Sequence, residues 1–211
     1  MFDRPIVMLD FETTGLSPLM GDRITEVAAL RIVDGVITER YVSLVNCNAR
    51  IPAFISNLTG ITQAMVDGAP PAQRVLPELL DFIGSDTLSA HNASFDEKFL
   101  KAEAALLDLR SAHQALVCSL KLSRRLFPGL PSYKLGALSR QLGLVFRSAA
   151  HRAEADAEVG AQLLIHIARH LHGVVKVSPV ESSLLMSVNR LAAAKVPAFL
   201  GNYATQQKPP G

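Results

Sequence analysis

The chain has 211 residues, 49% apolar and 19% charged, with 13 glycines, 12 prolines and a formal net charge of +2. That profile fits one globular domain of about 150 to 200 residues plus extras, and excludes collagenous, disordered and coiled-coil chains. No apolar run approaches the roughly 18 to 20 residues of a membrane span, and Asp3, Arg4 and Asp10 interrupt the start, where a signal peptide carries its apolar stretch; a soluble cytoplasmic protein with no membrane partner is expected.

In chain order, Pro5 to Leu9 is a short apolar run that reads as a strand buried on both faces and delivers Asp10 and Glu12 at its end. Ile24 to Val33 and Val36 to Val45 are β-rich, and the Asp34-Gly35 between them is a two-residue hairpin signal. From Pro52 to Ile83 the sequence predicts short helices broken by glycines and prolines, then an amphipathic piece from Ala72. Thr87 to Ala90 reads as a strand and Ala93 to Leu107 as a helix. Ala115 to Cys118 is a further strand, followed by helices over Leu120 to Leu126, Lys134 to Leu142 and Arg152 to Leu171. Strands first and alternating units afterwards imply a three-layer α/β domain with a mixed sheet.

Gly173 stands where a helix-ending glycine is expected, and Ser178-Pro179-Val180-Glu181 reads as an N-cap, a first-turn proline and a capping-box glutamate. The sequence therefore predicts residues 1 to 172 as the main domain and 173 to 211 as a C-terminal helix and flexible tail. That helix should run to about Lys195, be stopped by Pro197, and give way to a loose tail from Asn202. Val180, Leu184, Leu185, Val188 and Leu191 form an apolar stripe on it, open to two readings: packing on its own domain, or docking on a partner. Cys47 and Cys118 lack CxxC spacing and are expected as buried, reduced thiols.

Charge is distributed unevenly. Between Leu109 and Arg152 there is no acid, while Arg110, Lys121, Arg124, Arg125, Lys134, Arg140, Arg147 and Arg152 are all positive. Such a run is either a solvated face or one that attracts phosphates.

The chemistry begins with Asp10 and Glu12, which as i and i+2 on a strand share a face. They are either solvated strand-end acids or a pair that recruits a hard divalent cation such as Mg²⁺ or Mn²⁺. Thr13-Thr14-Gly15 follows, with small residues and backbone groups that a ligand can approach. Asp96 falls in the first turns of the helix after the fourth strand, and His151 precedes a long helix that carries Asp156. Glu154 lies about 200° from Asp156 around that helix and reads as a surface acid. Glu26 is left without a role.

Taken together, Asp-Phe-Glu-Thr-Thr-Gly, His-Asn-Ala-Ser-Phe-Asp and His-Arg-Ala-Glu-Ala-Asp resemble the three motifs of the DEDDh 3′-5′ exonucleases. The likeness runs over roughly residues 5 to 171, including Leu58-Thr59-Gly60-Ile61-Thr62 and Tyr133-Lys134-Leu135, and does not cover the last 40 residues. It implies a ribonuclease H-like three-layer α/β fold with a central mixed five-stranded sheet flanked by helices, and two divalent cations, Mg²⁺ or Mn²⁺, about 4 Å apart. By resemblance Asp10 bridges both ions, Glu12 and Asp156 hold the ion that activates water, Asp96 supports the other, and His151 takes the proton.

The resemblance also implies a nucleic-acid partner with a free 3′ end and release of nucleoside 5′-monophosphates. Thr13, Thr14, Gly15 and Leu16 would hold the terminal nucleotide, Asn92 and Phe95 would shape the floor, and the basic stretch would track the phosphate backbone. DNA cleavage in replication proofreading or repair is the leading expectation, with RNA or oligoribonucleotide cleavage beside it, and a polymerase or other protein as partner through the C-terminal helix. A non-catalytic nucleic-acid-binding or polymerase-binding module of the same fold would predict a broken acidic set, and none of the five positions is broken.

Overall fold

The computed structural model describes residues 1–145 and 151–206. The opening apolar run becomes β1 (Ile6–Thr13), which sends Ile6 and Met8 into one core and Val7, Leu9 and Phe11 into another. β2 (Ile24–Val33) and β3 (Val36–Leu44) form the expected hairpin, with Asp34 and Gly35 at φ 50° and 79°, the left-handed geometry that a two-residue turn demands. β2 runs antiparallel to β1, whereas β4 (Thr87–Ala90) is parallel to β1 and β5 (Ala115–Cys118) parallel to β4. Among the described residues these strands make one mixed sheet in the order β3-β2-β1-β4-β5.

Helices cover both faces. After the short α1 (Ala53–Thr59) and α2 (Gln63–Asp67), α3 (Ala72–Ile83) sets Val75, Leu76, Leu79 and Ile83 against Val7, Leu9 and Val27, joined by Phe99 and Leu100 of α4 (Ala93–Ala105). On the other face α5 (Ser119–Leu126) and α6 (Leu135–Leu142) flank α7 (Ala153–Val175), which packs on β1 and β2. Small residues let α7 ride close to the sheet: a Cβ at Gly160 would meet the Met8 sulfur at 3.1 Å.

The segment from Gly173 onward corrects the sequence reading at several points. Gly173 does not end the long helix; α7 continues to Val175, which is buried, and Lys176 takes the left-handed cap position (φ 58°) with its amide on the His172 carbonyl. Ser178 to Glu181 is not the predicted cap. The Ser178–Pro179 peptide is cis, and Val180 pairs with the N-terminal segment through Val180 N to Met1 O at 2.8 Å.

α8 (Ser182–Arg190) starts instead at Ser182, whose amide and hydroxyl both donate to the distant Asp3 carboxylate, at 3.0 and 3.1 Å. Nor does one helix reach Lys195 before a proline stop: after a 3₁₀ turn at Ala193–Lys195 a further helix, α9 (Val196–Gln206), carries Pro197 in its first turn, where its missing N–H removes no bond. The tail expected from Asn202 is helical through Gln206, and 207–211 lie outside the described residues.

The apolar stripe of α8 is buried in the chain's own core, with Leu184, Leu185 and Val188 at most 1% exposed. Asn189 ties this helix to β5: its Oδ1 accepts the Cys118 amide at 2.6 Å and its Nδ2 donates to the Cys118 carbonyl at 3.2 Å. Cys47 and Cys118 are free and buried. No helix of the described residues is long and apolar enough to cross a membrane.

Candidate active site

Asp10 and Glu12 continue the Ile6–Met8 face of β1 toward α7, where the apolar ladder stops, and Asp156 in the first turn of α7 meets them. One oxygen from each of Asp10, Glu12 and Asp156 lies within 4.8 Å of the others, a set of hard donors that could hold a divalent cation. Asp96, in the first turn of α4, is buried, and the amides of Asp96 itself and of Phe11 favour its charged form. It stands outside that group of three, but its charge presses on Asp10.

Burial raises all four carboxyls, and repulsion from neighbouring acids adds to it at Asp10, Glu12 and Asp96. Asp10 is held well above the usual carboxylate range, first by burial and then by Asp96, Asp156 and Glu12. Burial, Asp156 and Glu26 push Glu12 up to about 8, and burial takes Asp96 to about 8 as well, against the pull of its two amide donors. Asp156 is raised by burial, with the His151 amide and ring opposing. Groups this crowded bind either protons or a cation, and cation binding releases the protons.

His151 precedes α7 in the left-handed conformation (φ 64°), and its amide donates to Asp156 Oδ2 at 3.0 Å. It lines, with Asp10, Asp156, Lys134 and Arg140, an open groove of about 560 Å³. A neighbouring hollow of about 730 Å³ shares His91 and Lys134 with it and adds Asn92, Arg124 and Tyr133. The basic run therefore divides. Lys134 and Arg140 line the groove and Arg124 the neighbouring hollow, Arg110 lines a separate cavity with Leu100 and His113, Arg125 donates to the Leu191 carbonyl, Arg152 turns to Glu26, and Arg147 lies outside the described residues.

Just past Glu12, Thr13 and Thr14 are buried while Leu16 is 78% exposed. Gly15 is required here: a Cβ would sit 2.4 Å from the Asp22 carboxylate, which accepts the Ser17 amide at 2.9 Å. Asn92 is exposed at φ 77°, and Phe95 packs on Phe99 with the Lys98 ammonium 4.9 Å above its ring. Glu154 is the surface acid expected, paired with Arg40.

Three features were not read from the sequence. Asp22 organises the turn after β1, and its only sequence signal is its position beside Gly21. His91 Nε2 lies 3.0 Å from the Tyr133 carbonyl, which can only accept, so Nε2–H is the donor there, while Nδ1 lies 3.0 Å from Ser119 Oγ; burial lowers the pKa of the ring. Glu26 pairs with Arg152, which no local pattern announces.

Residues 7–164 match the exonuclease family, RNase_T. The chain belongs to this exonuclease family. DNA polymerase III subunit epsilon of Aquifex aeolicus (strain VF5) is 34% identical over 171 residues, 81% of this chain and 84% of the relative. The 3′-5′ exonuclease DinG of Bacillus subtilis (strain 168) is 39% identical over 165 residues, 78% of this chain but 18% of DinG. The exonuclease chain thus spans less than a fifth of DinG and of the PolC-type DNA polymerase III relatives it matches. Exonuclease X, solved in complex with 5′ overhanging duplex DNA, superposes with a TM-score of 0.69 at 28% identity, covering 87% of this chain and 99% of that one. The nuclease domain of 3′hExo, a DEDDh family member bound to rAMP, shares the fold with a TM-score of 0.67 at 23% identity.

Proposed function

We propose that this chain is a 3′-5′ exonuclease that removes nucleoside 5′-monophosphates from DNA 3′ ends, using two divalent cations, Mg²⁺ or Mn²⁺. The observation that carries it is the convergence of Asp10, Glu12 and Asp156 within 4.8 Å beside His151 and a cation-lined groove. Asp10, Glu12 and Asp156 would hold one cation, and Asp10 with Asp96 the other. When bound, the cations would supply charge neutralisation at the phosphodiester and an acidic water.

His151 accepts the proton of the attacking water as its oxygen bonds to phosphorus and the bond to the leaving 3′-oxygen breaks. That oxygen leaves as a 3′-hydroxyl after protonation from solvent. Arg124, Lys134 and Arg140 follow the backbone of the incoming strand. Thr13, Thr14 and Gly15 hold the terminal nucleotide, Leu16 presses on its base, and Asn92 and Phe95 form the floor.

The Aquifex relative is named a polymerase subunit, and we extend to this chain a role in proofreading or repair, with a polymerase contact through whatever face of the C-terminal helices its own core leaves open. The test is digestion of 3′-labelled and 5′-labelled single-stranded DNA, duplex DNA and RNA of one sequence, with product analysis. Stepwise shortening from the 3′ end into 5′-mononucleotides that stops in EDTA is expected, with DNA preferred. Equal rates in EDTA overturn the cation reading, and a strong preference for RNA overturns the DNA reading.

A further inference from the structure

The register of β1 and β2 sets Glu12 directly opposite Glu26, two like charges on one face of an antiparallel pair. Glu26 is 2% exposed, so water does not screen that repulsion. Yet it stays out of the trio that converges at 4.8 Å and turns to α7. Arg152 Nη2 donates to Glu26 Oε1 at 2.5 Å and Nε to Oε2 at 3.1 Å, while Oε2 also accepts the Ala153 amide at 2.9 Å. Arg152 occupies the N-cap position of α7 with no side-chain cap of its own. A carboxylate from a strand 126 residues earlier therefore caps the helix and grips the residue next to His151.

His151 itself has φ 64°, a conformation that a non-glycine residue holds only when its surroundings impose it. Its amide is fixed on one side by Asp156 and its successor on the other by Glu26. We infer that Glu26, acting through Arg152, is a positioning residue that aims the His151 imidazole. This rests on the reading of His151 as proton acceptor. A planar fork bound to both carboxylate oxygens fixes orientation as well as charge, which a single contact does not.

Glu26→Gln keeps the size of the side chain and breaks the charged fork. With Mg²⁺ and single-stranded DNA its kcat should fall by about 10- to 100-fold with KM within about twofold, the scale seen when a partner behind a reacting group is lost. On a His151→Ala background the same change should cost less than about twofold, because the two act as one unit. Mn²⁺ affinity of the protein without nucleic acid, measured by titration calorimetry, should stay within about threefold of the parent. Arg152→Lys, which keeps the charge without the fork, should lose rate as Glu26→Gln does, and it carries the test if Glu26→Gln does not fold.

The inference is overturned if Glu26→Gln slows the His151→Ala protein by about tenfold, if Mn²⁺ affinity drops about tenfold or more, which would make Glu26 a ligand, or if Arg152→Lys retains the parent rate. A His151→Ala protein with the parent kcat would instead overturn the reading of His151 and this inference with it. The parent-background comparison keeps the two failures apart.

Discussion

Glu12→Gln should remove activity and raise stability at once. Glu12 has its carboxyl pushed from its ordinary 4.5 up to about 8 in the fold, so between those values the folded chain carries a proton that the unfolded chain has released. Stability from this group is complete below about 4.5 and is lost as pH rises through 8. The slope is about 1.4 kcal/mol per pH unit per proton, so three units from pH 5 to 8 give about 4 kcal/mol. Glu12 is not fully buried, and halving for solvent screening leaves about 2 kcal/mol.

For a chain of this length that is a fall in Tm of about 4 to 8 °C between pH 5 and 8 in EDTA. Glu12→Gln cannot ionise and also lifts one repulsion from Asp96, so its melting curve should be flatter with pH and its Tm at pH 8 higher than the parent's by about that amount. Saturating Mn²⁺ should raise the parent Tm and leave the variant nearly unmoved. Differential scanning calorimetry at pH 5, 6.5 and 8, with and without Mn²⁺, measures all of this. A Glu12→Gln protein that melts lower than the parent in EDTA at pH 8 would refute the claim that acid crowding at Glu12 destabilises the fold.

Three further outcomes follow from the same geometry. His151→Ala should lower kcat by about 10² to 10⁴ while leaving Mn²⁺ binding in calorimetry largely intact, the scale of a lost proton acceptor. Gly15→Ala places a methyl 2.4 Å from Asp22 and should cost about 1 to 3 kcal/mol in urea unfolding, together with a raised KM for the 3′ end. Leu185→Ala, at a fully buried position of α8, should cost about 2 to 5 kcal/mol with an unchanged m-value; a cost under about 0.5 kcal/mol would mean that α8 is peripheral to the core.

What could be read in advance had a local cause. The continuous apolar run of Pro5 to Leu9, the β-rich stretches after it and the Asp34-Gly35 turn give β1 to β3, because each reports burial or turn chemistry within a few residues. Asp10, Glu12 and Asp156, which the structure brings together, were legible through the resemblance of their motifs to those of the DEDDh exonucleases. What escaped was long-range. The start of α8 is capped by Asp3, 179 residues away, so the local Ser178-Pro179 pattern pointed three residues too early. Gly173 lost its role as a terminus because the buried Val175 rewards two more helical residues. Glu26 looks like any acid in a β-rich stretch until the helix after His151 is laid across it.

The Asn189 amide has a consequence beyond joining a helix to a strand. β5 is the last strand on its side of the sheet, and its outward amide and carbonyl at Cys118 are what an extended peptide would pair with. By presenting a donor and an acceptor in the places a sixth strand would use, a single side chain closes the ladder to strangers. A chain cut short before α8 would lose this guard, and its failure would be visible as self-association and fibre-prone aggregates.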